Sequence, residues 1–240
     1  MKIRIRITIA ILLFAFNAPA QMVLKANDPS IRYDLIKPAH TFSKVIIFDS
    51  AGNKKMEFVN ESVIAINEQT HLITFSRYRQ VPLGRIGIDS SIISPAPVSM
   101  HFLDNPLKYE LNVTFKPVTV EVRSFIKGVH NNEVFKMTEG YFDDNILEDI
   151  CGYLPFKKGI KYNLDCFRYE SKTSKGINRY QIEYLFDDYL GGEKGMNDEC
   201  KVLSFVNGYE KGYLWIDKVS KELVKEVATF GTTTILLNKV

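Results

Sequence analysis

The stretch 212-GYLWIDKVSKELVKEVAT-229, followed by 230-FGTTTILLNKV-240, decides the fold class. Two readings compete for it. Val219, Leu223, Val227 and Phe230 recur at helical spacing with Ser220 as a cap, the pattern of an amphipathic helix closing a domain. Against that, the stretch begins with the aromatic and β-branched run YLWID and passes through the turn-like DKVSKE. It then resumes at Val224, Val227 and Thr229, residues that suit a pleated surface. Gly231 marks a second turn before a last strand. The balance favours a three-stranded meander, with a helix over 219–230 left open as the alternative.

The same punctuation runs through the chain upstream. FSKVIIFD, SAGNKK and MEFVNESVIAI read as strand, turn and strand. In HLITFSRYR, Leu72, Thr74, Ser76 and Tyr78 share one face while Ile73, Phe75 and Arg77 share the other. RIGIDSSII, KYELNVTF, VTVEVRSFI, VFKMTEG, IKYNLDCFRYE, INRYQIEYLF and CKVLSFVN extend the series. SPAPVS at 94–99 and Pro106 punctuate the middle, and Pro117 separates two strands because it cannot donate to a ladder. No Ser- or Gly-rich linker and no fixed repeat divides the chain. The expectation is a mainly β protein, one domain over 21–240 built on a large curved antiparallel sheet, because so many strands must curl or close.

YFDDNILEDICGYLPFKKG, residues 141–159, breaks the pattern. Phe142, Ile146, Ile150 and Tyr153 fall at helical spacing, Leu147 and Leu154 widen the stripe, Asp143 or Asp144 caps the start, and Pro155 stops it. A short covering helix near 143–154 is therefore expected, stable only when packed on the sheet.

At the other end, Lys2, Arg4 and Arg6 precede an apolar run from Ile7 to Phe16, and small residues stand at Ala18 and Ala20. This is the layout of a secretory signal peptide over 1–20, cleaved after Ala20. The run is too short to span a bilayer, and no later segment is longer, so no transmembrane span is expected in the mature chain. The full chain holds 31 basic and 28 acidic residues; without Lys2, Arg4 and Arg6 the two balance, so no nucleic-acid partner is expected. A periplasmic or secreted location follows, with no lipobox cysteine at the cleavage point. That compartment permits disulfides, so Cys166 and Cys200 are a possible pair if their strands are neighbours, with Cys151 left over; three buried free thiols are the alternative.

Chemistry-bearing motifs are scarce. His40, His71, His101 and His130 are scattered, without metal-ligand spacing. DDNILED fails as a calcium loop, since Glu148 stands where the sixth position requires Gly and Leu154 where the twelfth requires Glu. No nucleophile elbow appears, and LGGEKG at 190–195 reads as a turn. No metal, cofactor or catalytic residue is expected. Asn60 and Asn112 head formal glycosylation sequons. Aromatic content is high, with 16 Phe, 12 Tyr and one Trp, which suits either a packed core or an apolar cavity in a curled sheet.

The export signal, the strand series, DDNILEDICGYLPF followed by KKGIKYNLDCF, and the LWIDKVSKELVKEVATFGTTTILLN ending together resemble secreted bacterial domains of unknown function related to the LolA/LolB-like lipoprotein carriers. The resemblance implies a half-barrel sheet covered by short helices and a non-catalytic role in binding a lipid or lipoprotein acyl chain. The candidates for its lining or lid are Trp215, Phe142 and Tyr153. Two rival expectations are a cell-envelope structural or interaction protein with a filled core, and a secreted hydrolase using carboxylates dispersed in sequence.

Overall fold

The computed structural model describes residues 21–81, 84–94, 96–104, 108–170, 174–191 and 197–240; the signal peptide expected at 1–20 and most of the 190–195 turn lie outside the described residues. In chain order the strands are β1 (Gln21–Val23), β2 (Ala39–Phe48), β3 (Lys54–Ile66), β4 (Ile73–Val81), β5 (Gly84–Ser94), β6 (Ala96–Asp104), β7 (Tyr109–Lys116) and β8 (Thr119–Ile126). They continue as β9 (Val129–Lys136), β10 (Phe142–Asp143), β11 (Lys161–Glu170), β12 (Ser174–Gly191), β13 (Asn197–Val206), β14 (Glu210–Asp217), β15 (Leu223–Phe230) and β16 (Thr233–Lys239). All belong to one sheet, in the order β1-β11-β12-β13-β14-β15-β16-β2-β3-β4-β5-β6-β7-β8-β9, with β10 also paired to β11. Two meanders thus join where β16 pairs antiparallel with β2, and only the short β1 and β10 run parallel to their partner.

The opening stretch is a meander because its turn is chemically specified. Asp217 Oδ1 accepts the backbone N–H groups of Val219 at 2.8 Å and Ser220 at 2.5 Å, and Lys221 sits at φ 67°. A short acidic side chain that binds the next backbone amides competes directly with helix formation. On β14 the residues then alternate, with Glu210, Gly212, Leu214 and Ile216 buried and Lys211 and Tyr213 exposed. The SPAPVS stretch, read as punctuation, holds the break between β5, which ends at Ser94, and β6, which begins at Ala96; Pro97 already lies on β6 and faces Ile93 where the register shifts, the kind of irregular position that tolerates a residue without an N–H.

The sheet rolls up until its ends overlap. The first core cluster holds Tyr162, Leu164 and Cys166 of β11, with Ile182, Leu203, Leu214 and Ile216 of the following strands. The other face of β11 carries Phe167 and Tyr169, which pack in a second cluster with Met100, Leu111, Val113, Phe115, Val120 and Val122. Phe167 lies 5.9 Å from Phe115 and 5.5 Å from Phe135, and Tyr169 lies 6.1 Å from Phe135, measured between ring centroids. The β6–β9 end therefore lies across the outer face of β11, and the seam closes through edge-to-face rings, each pair contributing about 0.5–1.5 kcal/mol beyond its buried area.

The concave face is filled by the chain itself. Leu24, Ala26, Ile31 and Ile36 enter the first cluster from one segment, and Ile146, Leu147, Ile150, Tyr153, Leu154 and Phe156 from another. The second segment, which plugs the roll, corrects the expectation of one continuous helix. It consists of a 3₁₀ turn (Asp144–Ile146), a four-residue helix α1 (Leu147–Ile150) and a second 3₁₀ turn (Cys151–Tyr153). Asp143 Oδ1 caps the first turn by accepting the Asn145 N–H at 3.0 Å. At the other end Gly152 lies so close to the β14–β15 turn that a Cβ there would come within 2.7 Å of the Lys221 carbonyl carbon. The missing Cβ lets the segment pass against the Lys221 carbonyl, and a glycine inside the second 3₁₀ turn disfavours a continuous helix.

The Cys166–Cys200 disulfide is also corrected. Cys166 is opposite Asn178 and Cys200 opposite Asp188, on the two sides of β12. Ten residues along a strand separate them by roughly 30 Å, whereas a disulfide needs Cα atoms within about 7 Å. All three cysteines are buried free thiols.

Candidate functional site

The alternation that put Ile73, Phe75 and Arg77 on one face of β4 places them on the concave side, where Arg77 meets the plug. Its Nη2 donates to Asp149 Oδ2 at 2.9 Å and lies 3.7 Å from Glu148 Oε2. On the opposite wall Arg168 of β11 does the same for the other end of the plug. Its Nε is 3.4 Å from Asp144 Oδ2, and its Nη1 donates to Glu210 Oε2 at 3.1 Å. Tyr180 OH and Asn207 Nδ2 also donate to Glu210. The acidic run DDNILED is thus more than a helix start, since three of its carboxylates reach inward-facing guanidinium groups on two walls.

Between the plug and the wall formed by β2–β5, β15 and β16 lies a cavity of about 50 Å³, lined among others by Ser62, Phe75, Arg77, Asp89, Ser91 and Tyr153. Asp89 is directly opposite Arg77 across the β4–β5 ladder. Burial pushes the Asp89 carboxyl up to about 6, although the Arg77 charge pulls the other way. Burial likewise pushes Asp143 up to about 7, with the neighbouring Ser91 hydroxyl opposing the rise. Glu148 and Glu226 are also raised, again chiefly because burial disfavours the charged form. Asp89 Oδ1 is buried without a protein hydrogen-bond partner, and the buried Ser91 hydroxyl lies beside the Asp143 carboxyl, whose charged form it favours.

Of the three aromatic residues expected at a lining or lid, Tyr153 lines this cavity. Phe142 is 1% exposed and belongs to the packed core on β10, outside the lining. Trp215 is a correction: it points to the convex face, opposite Leu214 and Ile216, where its Nε1 donates to Asp188 at 2.9 Å and Lys225 Nζ sits 4.6 Å from its ring. Alternation along YLWID is the signal that separates Trp215 from its inward neighbours. The polar cluster was harder to find, because Arg77, Asp89, Asp149 and Glu226 lie far apart in sequence and only the rolled sheet brings them together.

Asn60 of the first sequon also lines the cavity and is half-buried. Among the described residues no group of three His, Cys, Asp or Glu side chains is arranged to hold a metal ion. No described helix is long and apolar enough to cross a membrane.

No protein-family model and no curated protein matches the chain. Among solved structures, the chain is similar to a β-barrel-like protein of a domain of unknown function, DUF1849, from Brucella abortus, with a TM-score of 0.52 at 8% identity over 85% of this chain and 95% of that one. It also aligns with the hypothetical lipoprotein YmcC from Escherichia coli, with a TM-score of 0.31 at 9% identity over 87% and 92% of the two chains. The first likeness is one of fold, a β-barrel-like sheet of the same extent.

Proposed function

We propose that this chain is a non-catalytic periplasmic or secreted carrier whose rolled sheet binds an apolar ligand, a lipid or the acyl chain of a lipoprotein, in the volume that the 141–156 plug fills. The observation that carries this reading is the chemistry of the joint. The sheet behind the plug is apolar, yet plug and β4–β5 wall meet through Arg77, Glu148, Asp149 and Asp89, carboxylates and a guanidinium that water can solvate as the joint opens. Arg77, Glu148 and Asp149 keep 28, 31 and 23% of their side chains exposed, so the ion pairs hold the plug only modestly. The resemblance to lipoprotein carriers points the same way.

A cavity of about 50 Å³ is too small for an acyl chain, so binding requires the plug to withdraw. Burying about ten methylene groups in place of Ile146, Leu147, Ile150 and Leu154 gains roughly 8 kcal/mol, from which the displacement of the plug and the ordering of the ligand are subtracted.

Native mass spectrometry of protein purified without detergent, combined with titration of a fluorescent fatty acid, tests the carrier reading. Gly152→Ala, which pushes the plug off the Lys221 carbonyl, is expected to bind the probe more tightly than the unaltered chain. Absence of co-purified lipid together with no saturable binding by either protein would leave the filled-core interaction protein as the better reading.

A further inference from the structure

We propose that β9 is the edge by which two copies of this chain pair, antiparallel and about a two-fold axis at Asn132. The sheet ends differently on its two sides. At one end the outer edge of β11 is covered by the short parallel strands β1 and β10. At the other, β9 pairs with β8 alone, and among the described residues no strand lies on its far side. A long, flat edge of this kind is a template for another strand, and proteins ordinarily blunt it with a proline, a bulge or a covering segment. The run 129-VHNNEVFK-136 has no proline, its lysine stands at the last position, and it pairs with β8 over all 8 residues without a register shift. Its exposed side chains include Val129 and Val134, at 58% and 68%.

The turn before β9 determines which of its backbone groups are free. Ile126 and Val129 close a two-residue hairpin through Lys127 and Gly128, at φ 48° and 91°, and the pair that closes such a hairpin is hydrogen-bonded. Val129, Asn131, Glu133 and Phe135 therefore bond to β8, a series that the Met137 N–H continues by donating to the Val118 carbonyl at 2.9 Å. His130, Asn132, Val134 and Lys136 point their N–H and C=O groups outward. A two-fold axis perpendicular to the sheet keeps its faces continuous and sets one residue opposite its own copy. With Glu133 on the axis, two carboxylates would face each other, which is unfavourable. With Asn131 there, only His130 and Asn132 would pair. With Asn132 on the axis, His130, Asn132 and Val134 all pair, giving about six backbone hydrogen bonds. Glu133 then stands opposite Asn131, and Val134 opposite His130, whose ring centroid lies 4.7 Å from that of Phe125. The strand is complementary to itself in this register, which favours a second copy as its occupant.

One strand edge buries less than the roughly 1,200–2,000 Å² of a stable interface, so the pairing is weak and depends on concentration. Sedimentation equilibrium of the unaltered chain from about 10 µM to about 1 mM should show monomer and dimer in exchange. A monomer throughout would overturn the proposal and leave the edge to an extended segment of another protein. Asn132→Asp, an isosteric change at an exposed position, sets two carboxylates against each other on the axis. It should weaken the dimer about tenfold at low salt and less at high salt. A dimer unchanged in this variant would remove β9 as the interface. The register has its own readout. Asn132→Cys places two thiols on Cα atoms about 5.5 Å apart, within disulfide reach, whereas Glu133→Cys leaves them about 8 Å apart. Mild oxidation with diamide should cross-link the first variant and not the second, the three native thiols being buried. Cross-linking of Glu133→Cys to an equal or greater extent, or of neither variant, would overturn the assigned axis.

Discussion

Replacing Asp143 by Asn should make this protein more stable, and by an amount that depends on pH. The carboxylate is 1% exposed; Oδ1 caps the first turn of the plug, and the Ser91 hydroxyl lies beside the group. Burial raises its pKa from 3.8 to about 7. A raised acid holds its proton in the folded chain after the unfolded chain has released it, so its stabilising contribution is complete below about pH 4 and is lost as pH rises through about 7. At about pH 8 the ionised group costs about 4 kcal/mol relative to a neutral one, and at about pH 5 the cost is about 1.5 kcal/mol. Asn keeps the capping oxygen, removes the charge and turns an N–H toward Ser91. Urea unfolding of Asp143→Asn and the unaltered chain at both pH values should show a gain that shrinks by about 3 kcal/mol between about pH 8 and pH 5. A variant no more stable at the higher pH, or a gain independent of pH, would refute the assignment of a buried, strained carboxylate at this position.

Phe167→Ala removes the ring between Phe115 and Phe135 and should cost about 3–5 kcal/mol in urea unfolding; a loss below about 1 kcal/mol would mean that the overlapped seam contributes little. The only tryptophan, Trp215, faces away from the concave side, so saturating the protein with ligand should leave its emission maximum unchanged, and a blue shift would contradict that placement. A thiol reagent should find no fast-reacting cysteine in the folded protein, because burial pushes the Cys151 and Cys166 thiols well up. After unfolding without reductant it should find all three.

Strand-scale alternation made most of the sheet legible. FSKVIIFD, KYELNVTF and VTVEVRSFI each fall on one strand apart from a single end residue, with the Pro117 turn between the last two, because turn chemistry and period-two patterning are local properties. The same alternation should have excluded Trp215 from the interior, since Leu214 and Ile216 on either side of it are the apolar inward pair. Other features depend on contacts distant in sequence. Gly152 passes close against Lys221 where the expected helix gives way to a 3₁₀ turn, and β12 holds the two cysteines apart. SPAPVS marked the change from β5 to β6, and only the placement of Pro97 on β6, at a register shift, needed the partner strand. The candidate site was legible only in part. Tyr153 followed from helical spacing, whereas the pairing of DDNILED with Arg77 and Arg168 required the two walls to be brought around it.

The way the roll is fastened has a mechanical consequence. A barrel laced all the way round by backbone hydrogen bonds has a girth set by strand number and stagger. Here the two ends overlap like the edges of a scroll, and the overlap is held by the rings of Phe115, Phe135, Phe167 and Tyr169. The Tyr141 hydroxyl adds hydrogen bonds to the Lys116 and Thr119 carbonyls, so the circumference is fixed by side chains at this one place and by backbone pairing elsewhere.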